Sequence, residues 1–214
     1  HGYGVENILF VPYAGVNLSQ DSVEESFNIY EKRVASVFEE LGLRIYSIHR
    51  ESDPVAAVKN AEAIAVGGGN TFQLVKMMQE TGAMDAIRTR VLEGIPYSGW
   101  SAGSNVACPS MRTTNDMPIS EPPSFNCLNL IPFQINPHYL DPDPNSTHKG
   151  ETRETRIKEF HQFNTPPVVG IREGSWLEVK GKDITLRGTL SARIFEAGKE
   201  PYEVEPETLL NDLR

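Results

Sequence analysis

Short apolar runs, each stopped by Gly or Pro and separated by stretches of helical periodicity, limit this chain to few folds. Residues 7–12, 43–48, 63–66 and 95–99 read as buried strands. Between the first two, apolar residues from Val23 to Leu41 recur at spacings of three and four, with Asp21 as the expected N-cap and Gly42 as the stop. Asp53-Pro54 opens a short helix, and helical patterns cover residues 71–79 and 84–93. Strands alternating with helices predict an α/β fold, a mainly parallel, doubly wound sheet joined by right-handed crossovers. Ligands in such sheets bind beyond the carboxyl ends of the strands.

The remainder continues the pattern less regularly. Residues 108–124 are polar and Pro-rich and read as an ordered functional loop. Residues 131–136 form a strand ending in Pro137-His138, residues 149–163 a charged helix, and residues 168–171 another strand. Gly181-Lys182-Asp183 predicts a C-terminal β-hairpin within residues 175–197. A length of 214 residues suits one domain, expected over residues 1–214. The longest apolar stretches fall far short of the roughly 20 residues that span a bilayer, so no membrane role is expected. A net charge of −9 argues against nucleic acid as a partner. Cys108 and Cys127 have no metal-ligand spacing and read as free thiols of a reducing cytosol. No metal or cofactor site is expected.

Gly99-Trp100-Ser101-Ala102-Gly103 fits the G-x-S-x-G pattern, with an apolar strand before it and a small-residue helix start after it. That context predicts a nucleophile elbow at Ser101; a Gly-flanked turn whose Ser only caps the helix satisfies the same pattern. A Ser nucleophile needs a base and an orienting carboxylate. Among five His, His138 follows a strand and falls at a strand's carboxyl end, with His148 as runner-up. Asp116 is the nearest carboxylate between Ser101 and His138, and an Asx turn before Pro118 would equally explain it. Gly67-Gly68-Gly69-Asn70, after a buried strand, lets several N–H groups converge as an oxyanion hole requires. A phosphate loop is the weaker alternative, because the Lys-Ser/Thr of a P-loop is missing.

On FVPYAG (10–15), VGGGNTFQL (66–74), GWSAGSNVACP (99–109), RTTNDMPI (112–119), QINPHY (134–139) and HKGETRETRI (148–157), the chain resembles the peptidase E family of serine aspartyl dipeptidases. The resemblance implies a glutamine-amidotransferase-like or flavodoxin-like three-layer sandwich and a cytoplasmic enzyme that is a monomer or homodimer. It implies Ser101 as nucleophile, His138 as base and Asp116 as third member, with Glu121 as the local alternative to Asp116. It also implies an oxyanion hole from Gly68, Gly69 and Ala102, with Asn70 beside the substrate. Family members carry an additional opening strand ahead of the region matching residues 5–12, so this chain reads as trimmed.

The family's substrate is a dipeptide with a free N-terminal aspartate, Asp-Xaa. Lys149, Arg153 and Arg156 share a helical face soon after His138 and offer the counter-charge. Arg153 is the expected carboxylate reader through its planar fork, Glu151 the expected amine reader, and Arg156 reads as solvated surface. A cyanophycinase-like or isoaspartyl peptidase of the same family, or an inactive small-molecule-binding relative, is the alternative. An amidotransferase would carry Cys in place of Ser101, and an α/β-hydrolase would place its His near the chain's end.

Overall fold

The computed structural model describes residues 4–213 except Pro144, Ser146, His148 and Lys149. His148 and Lys149, two of the candidates above, therefore lie outside the described residues. The chain divides into two compact units: His1–Met111 with Asp116–Leu130, and Arg112–Asn115 with Ile131–Arg214.

The first unit runs β1 (Asn7–Val11), α1 (Val23–Glu39), β2 (Arg44–Ser47), α2 (Pro54–Asn60), β3 (Ala63–Val66), α3 (Thr71–Glu80), α4 (Ala83–Leu92), β4 (Tyr97–Gly99) and α5 (Ala102–Ala107). Its strands are parallel, in the order β2-β1-β3-β4. Successive strand residues point to opposite faces, and here both faces are apolar because helices cover both. Leu9, Val11, Ile64 and Val66 pack with Val58, Leu74, Met78, Ile87 and Val106 of the helices. Ile8, Phe10, Ala63 and Ala65 pack instead with Val34 of α1. This is the doubly wound α/β arrangement that the strand-helix alternation predicts. Asp53 caps α2 ahead of Pro54 as expected. The cap of α1 is Ser22 and not Asp21: Ser22 is the residue whose side chain accepts the Glu25 N–H, at 3.0 Å.

The loop after α5 is ordered by main-chain bonds. Ser110 and Asn126 form an antiparallel bridge, and Gln79 of α3 donates to the Asn126 carbonyl at 2.8 Å. The thiols of Cys108 and Cys127 are buried at the two ends of this loop, and both are free.

The second unit contains β5 (Gln134–Asn136), α6 (Arg153–Phe160), β6 (Val168–Gly170), β7 (Ser175–Lys180), β8 (Asp183–Gly188), β9 (Ala192–Phe195) and β10 (Tyr202–Val204). The strand order is β10-β9-β6-β5, with β5 and β6 parallel and the other pairings antiparallel. The expected hairpin is β7–β8, turning at Gly181-Lys182 with Gly181 at φ +62°. α6 is shorter than the helical pattern over 149–163, because Thr152 accepts the Thr155 N–H and so fixes the start.

Candidate active site

Ser101 stands between β4 and α5 at φ 54°, ψ −113°, a conformation that costs an ordinary residue energy. The sequence tolerates it because its neighbours lack side chains. A Cβ on Gly99 would collide with the Gly103 carbonyl, and one on Gly103 with the Val66 carbonyl. The two motif glycines are thus explained by the close approach of backbone on either side of Ser101. Helix α5 begins at Ala102, whose N–H, like the others of the first turn, has no acceptor within the helix.

The Gly-rich loop lies against this turn. A Cβ built on Gly68 would be 2.8 Å from Ser101 Cβ and 3.3 Å from Ser101 Oγ, so only glycine fits beside that hydroxyl. Two of the four loop amides are already used. Gly67 N–H donates to the Val11 carbonyl at 3.0 Å and Asn70 N–H to the Ala14 carbonyl at 2.9 Å. The Tyr30 hydroxyl, packed against Gly67, accepts from Trp100 Nε1 at 3.0 Å. Gly69 N–H has no hydrogen bond among the described residues, and its φ of +131° turns it away from the path of its neighbours. Burial raises the Tyr30 phenol above its ordinary pKa, so it stays neutral and keeps a proton of its own to donate.

Asn70 and Asp116 meet at the start of α3. Asn70 Oδ1 accepts the Gln73 N–H at 3.1 Å and its Nδ2 donates to the Met117 carbonyl at 2.9 Å. Asp116 Oδ2 accepts from the Thr71 N–H at 2.7 Å and from the Thr71 hydroxyl at 2.6 Å. A carboxylate at a helix N-terminus is favourable by itself, because unpaired N–H groups concentrate positive charge there. Glu121, the local alternative, is exposed.

In the second unit His138 lies two residues beyond β5 and also adopts positive φ, 52°. Its Nδ1 is hydrogen-bonded to Oε1 of Glu173, three residues beyond β6. Asn115 Nδ2 donates to the Pro137 carbonyl at 2.9 Å, and Asn136 Nδ2 donates to Asn115 Oδ1 at 2.8 Å, which pins the turn. The next residue on each side is anchored too. Tyr139 is buried, and its ring carries the Arg172 guanidinium 5.5 Å from its centroid. Arg172 grips Asp141 with two bonds of 2.8 and 2.7 Å and Glu203 with two of 2.7 and 3.0 Å. Arg193 joins Glu203 to Glu154 of α6, each at 3.1 Å. Hydrogen bonding to Arg172 holds the Glu203 carboxyl down at about 2 and lowers Asp141 as well.

Arg153 is half-buried at the first position of α6. Glu151 lies two residues before it and is 3.7 Å from Arg156; both side chains are exposed, as a solvated helix face carrying acidic neighbours requires. No pattern in the sequence singled out Glu173. The signal was the adjacency of parallel strands: β5 and β6 pair in register, so the residues following each end up side by side. Among the described residues, no group of three or more His, Cys, Asp and Glu could hold a metal. No helix among them is long and apolar enough to cross a membrane.

The model of Peptidase family S51 matches residues 2–187. The chain belongs to this family. It is similar to peptidase E of Streptomyces coelicolor, 48% identical over 96% of this chain and 81% of that one. It is also similar to peptidase E of Nostoc sp., 44% identical over 99% of this chain and 85% of that one. Among solved structures, a peptidase from an acI-B1 actinobacterium is 18% identical, with a TM-score of 0.70 over 95% of this chain and 82% of that one; it shares the fold. Membership of S51 makes the chain a serine peptidase, and so a hydrolase.

Proposed function

We propose that the chain hydrolyses dipeptides with a free N-terminal aspartate through an acyl-enzyme on Ser101. The observation that carries the reading is Ser101 at positive φ on a strand-to-helix turn, with Gly68 of the Gly-rich loop against it and the Ala102 N–H opening α5. Ser101 Oγ attacks the scissile carbonyl, and its proton passes to His138 Nε2. The Gly69 and Ala102 amides take the oxyanion. The carboxylate that orients His138 is Glu173, which fixes the proton on Nδ1 and leaves Nε2 to accept. Asp116 then acts on the oxyanion loop's side of the chemistry, by capping α3 directly after Asn70. Protonated His138 releases the amine of the leaving residue, and water, deprotonated by the same imidazole, hydrolyses the aspartyl ester.

Arg153 reads the substrate's side-chain carboxylate and Glu151 its free amine. Two buried cysteines outside any disulfide support a reducing compartment such as the cytoplasm as the enzyme's location. The test is hydrolysis of Asp-Leu by the wild type and by Ser101→Ala. We expect cleavage by the wild type and a loss of on the order of 10⁴-fold or more in kcat in the variant. A wild type inert on Asp-Leu, or a variant within tenfold of it, overturns the reading.

A further inference from the structure

A cleft of about 470 Å³ opens in the first unit beside the oxyanion loop, within the usual size range of small-ligand sites of roughly 300–1,000 Å³. Its floor is the backbone of Gly68, Gly69 and Asn70, and Gly68 adjoins the Ser101 hydroxyl. Val16, Leu18 and Ile119 give it apolar walls, and Arg33 is its one charged lining residue.

The placement of Arg33 follows from the helix that carries it. Ser26, Tyr30 and Arg33 are spaced four and three apart and so share one face of α1. Ser26 is fully buried, and its hydroxyl accepts the N–H groups of Leu18 and Ser19 at 3.2 and 3.0 Å, which fixes the cleft's rim. Tyr30 fills the space that glycine leaves at Gly15 and Gly67. One turn further on, Arg33 lines the same cleft. It forms no ion pair among the described residues, in a chain whose 29 acidic residues exceed its 20 basic ones.

We infer that this cleft receives the leaving residue of the dipeptide and that Arg33 binds its C-terminal carboxylate. The inference rests on the serine-dipeptidase reading above and adds a subsite to it. In a dipeptide the terminal carboxylate follows the scissile bond by a single residue, about 3.8 Å of chain, so a cation lining a cleft that begins at the oxyanion loop is placed to read it. The apolar walls take the side chain of that residue. A tripeptide puts a neutral amide where the carboxylate should be, and this preference makes the enzyme one for dipeptides and not for longer chains. Arg33 is thus a specificity residue for the leaving side.

The experiment compares kcat/KM for Asp-Leu and for Asp-leucinamide, which lacks the terminal charge, in the wild type, Arg33→Ala and Arg33→Lys. We expect the wild type to prefer the acid by on the order of tenfold, as for an exposed charge-assisted pair, with the effect in KM. In Arg33→Ala the ratio of acid to amide should fall to near one, and Arg33→Lys should restore part of it. An unchanged ratio in Arg33→Ala overturns the inference. So does a change in the ratio of Asp-Leu to Asn-Leu in that variant without a change in acid over amide, which would assign Arg33 to the aspartyl side. A wild type that cleaves neither substrate removes the dipeptidase reading itself, and is seen before any variant is compared.

Discussion

Ser101 and His138 each stand two residues past a parallel strand, and each adopts positive φ, 54° and 52°. What holds them there differs between the two units. Around Ser101 the restraint is close backbone packing on an apolar core, with glycines admitting neighbouring carbonyls where any side chain would collide. Around His138 one apolar cluster is built on Tyr139, Ile157, Val168 and Phe195. Charge adds a restraint of another kind, through the chain Asp141–Arg172–Glu203–Arg193–Glu154. Packing restraints are insensitive to pH and salt, whereas ionic ones are not. The two candidate catalytic groups should therefore fail under different insults.

The largest effect should come from breaking the packed side. Gly103→Ala drives a methyl into the Val66 carbonyl, where nothing flexible can yield, and should cost about 3 kcal/mol or more. Urea unfolding of the variant measures this, and hydrogen exchange should show the loss in β3, β4 and α5. A variant within about 1 kcal/mol of the wild type would mean that the turn is held by something other than close packing.

Arg172→Met breaks the ionic side with a smaller expected cost. Arg172 is mostly buried, while its partners Asp141 and Glu203 are 54% and 36% exposed, so solvent takes up much of what they lose. About 2 kcal/mol is expected, below the 3–5 kcal/mol of a fully buried pair. Exchange protection should fall in β6, β9 and β10 and persist in β1 and β3. Activity should drop as well, because Glu173 is the next residue in the chain.

Acid sharpens the same contrast without a mutation. The Glu203 and Asp141 carboxyls are lowered in the folded protein, so their stabilisation is complete above the ordinary carboxylate range. It is lost as pH falls from about 4.5 towards about 2. In the first unit the matching case is Glu62, an exposed carboxylate held at about 2 by the Asn7 and Glu6 N–H groups at the start of β1. Exchange followed through that window should show the second unit loosening broadly, and the first only near residues 6, 7 and 62. Uniform loosening of both units would contradict the comparison.

The legibility of the sequence divides along the same line. Strands β1 and β3 were readable because each buries an apolar run, β2 and β4 are only partly buried and were readable from the apolar residues at or beside them, and Ser101 was readable because close packing demands glycine at fixed spacing. The ionic restraints left no such trace. Arg172, Arg193, Glu154 and Glu203 are ordinary charged residues until strand pairing brings them together, and Glu173 is one Glu among many until β5 and β6 align. Gly67 illustrates a subtler gap: its presence in the loop was legible, but the Tyr30 ring packed against it comes from a helix position that reads only as core. The shift of the first helix cap from Asp21 to Ser22 is the usual one-residue uncertainty at an element's end.

The protein's two cysteines are both buried and free, and both belong to the first unit, on either side of the loop closed by Ser110 and Asn126. They form a natural stopwatch. A thiol-directed dye reaches them only when that loop or its core opens, so the labelling rate counts openings around Ser101 while remaining blind to the other unit. Two labelled sites on one loop, read separately by mass spectrometry, also tell whether its ends come free together or one at a time.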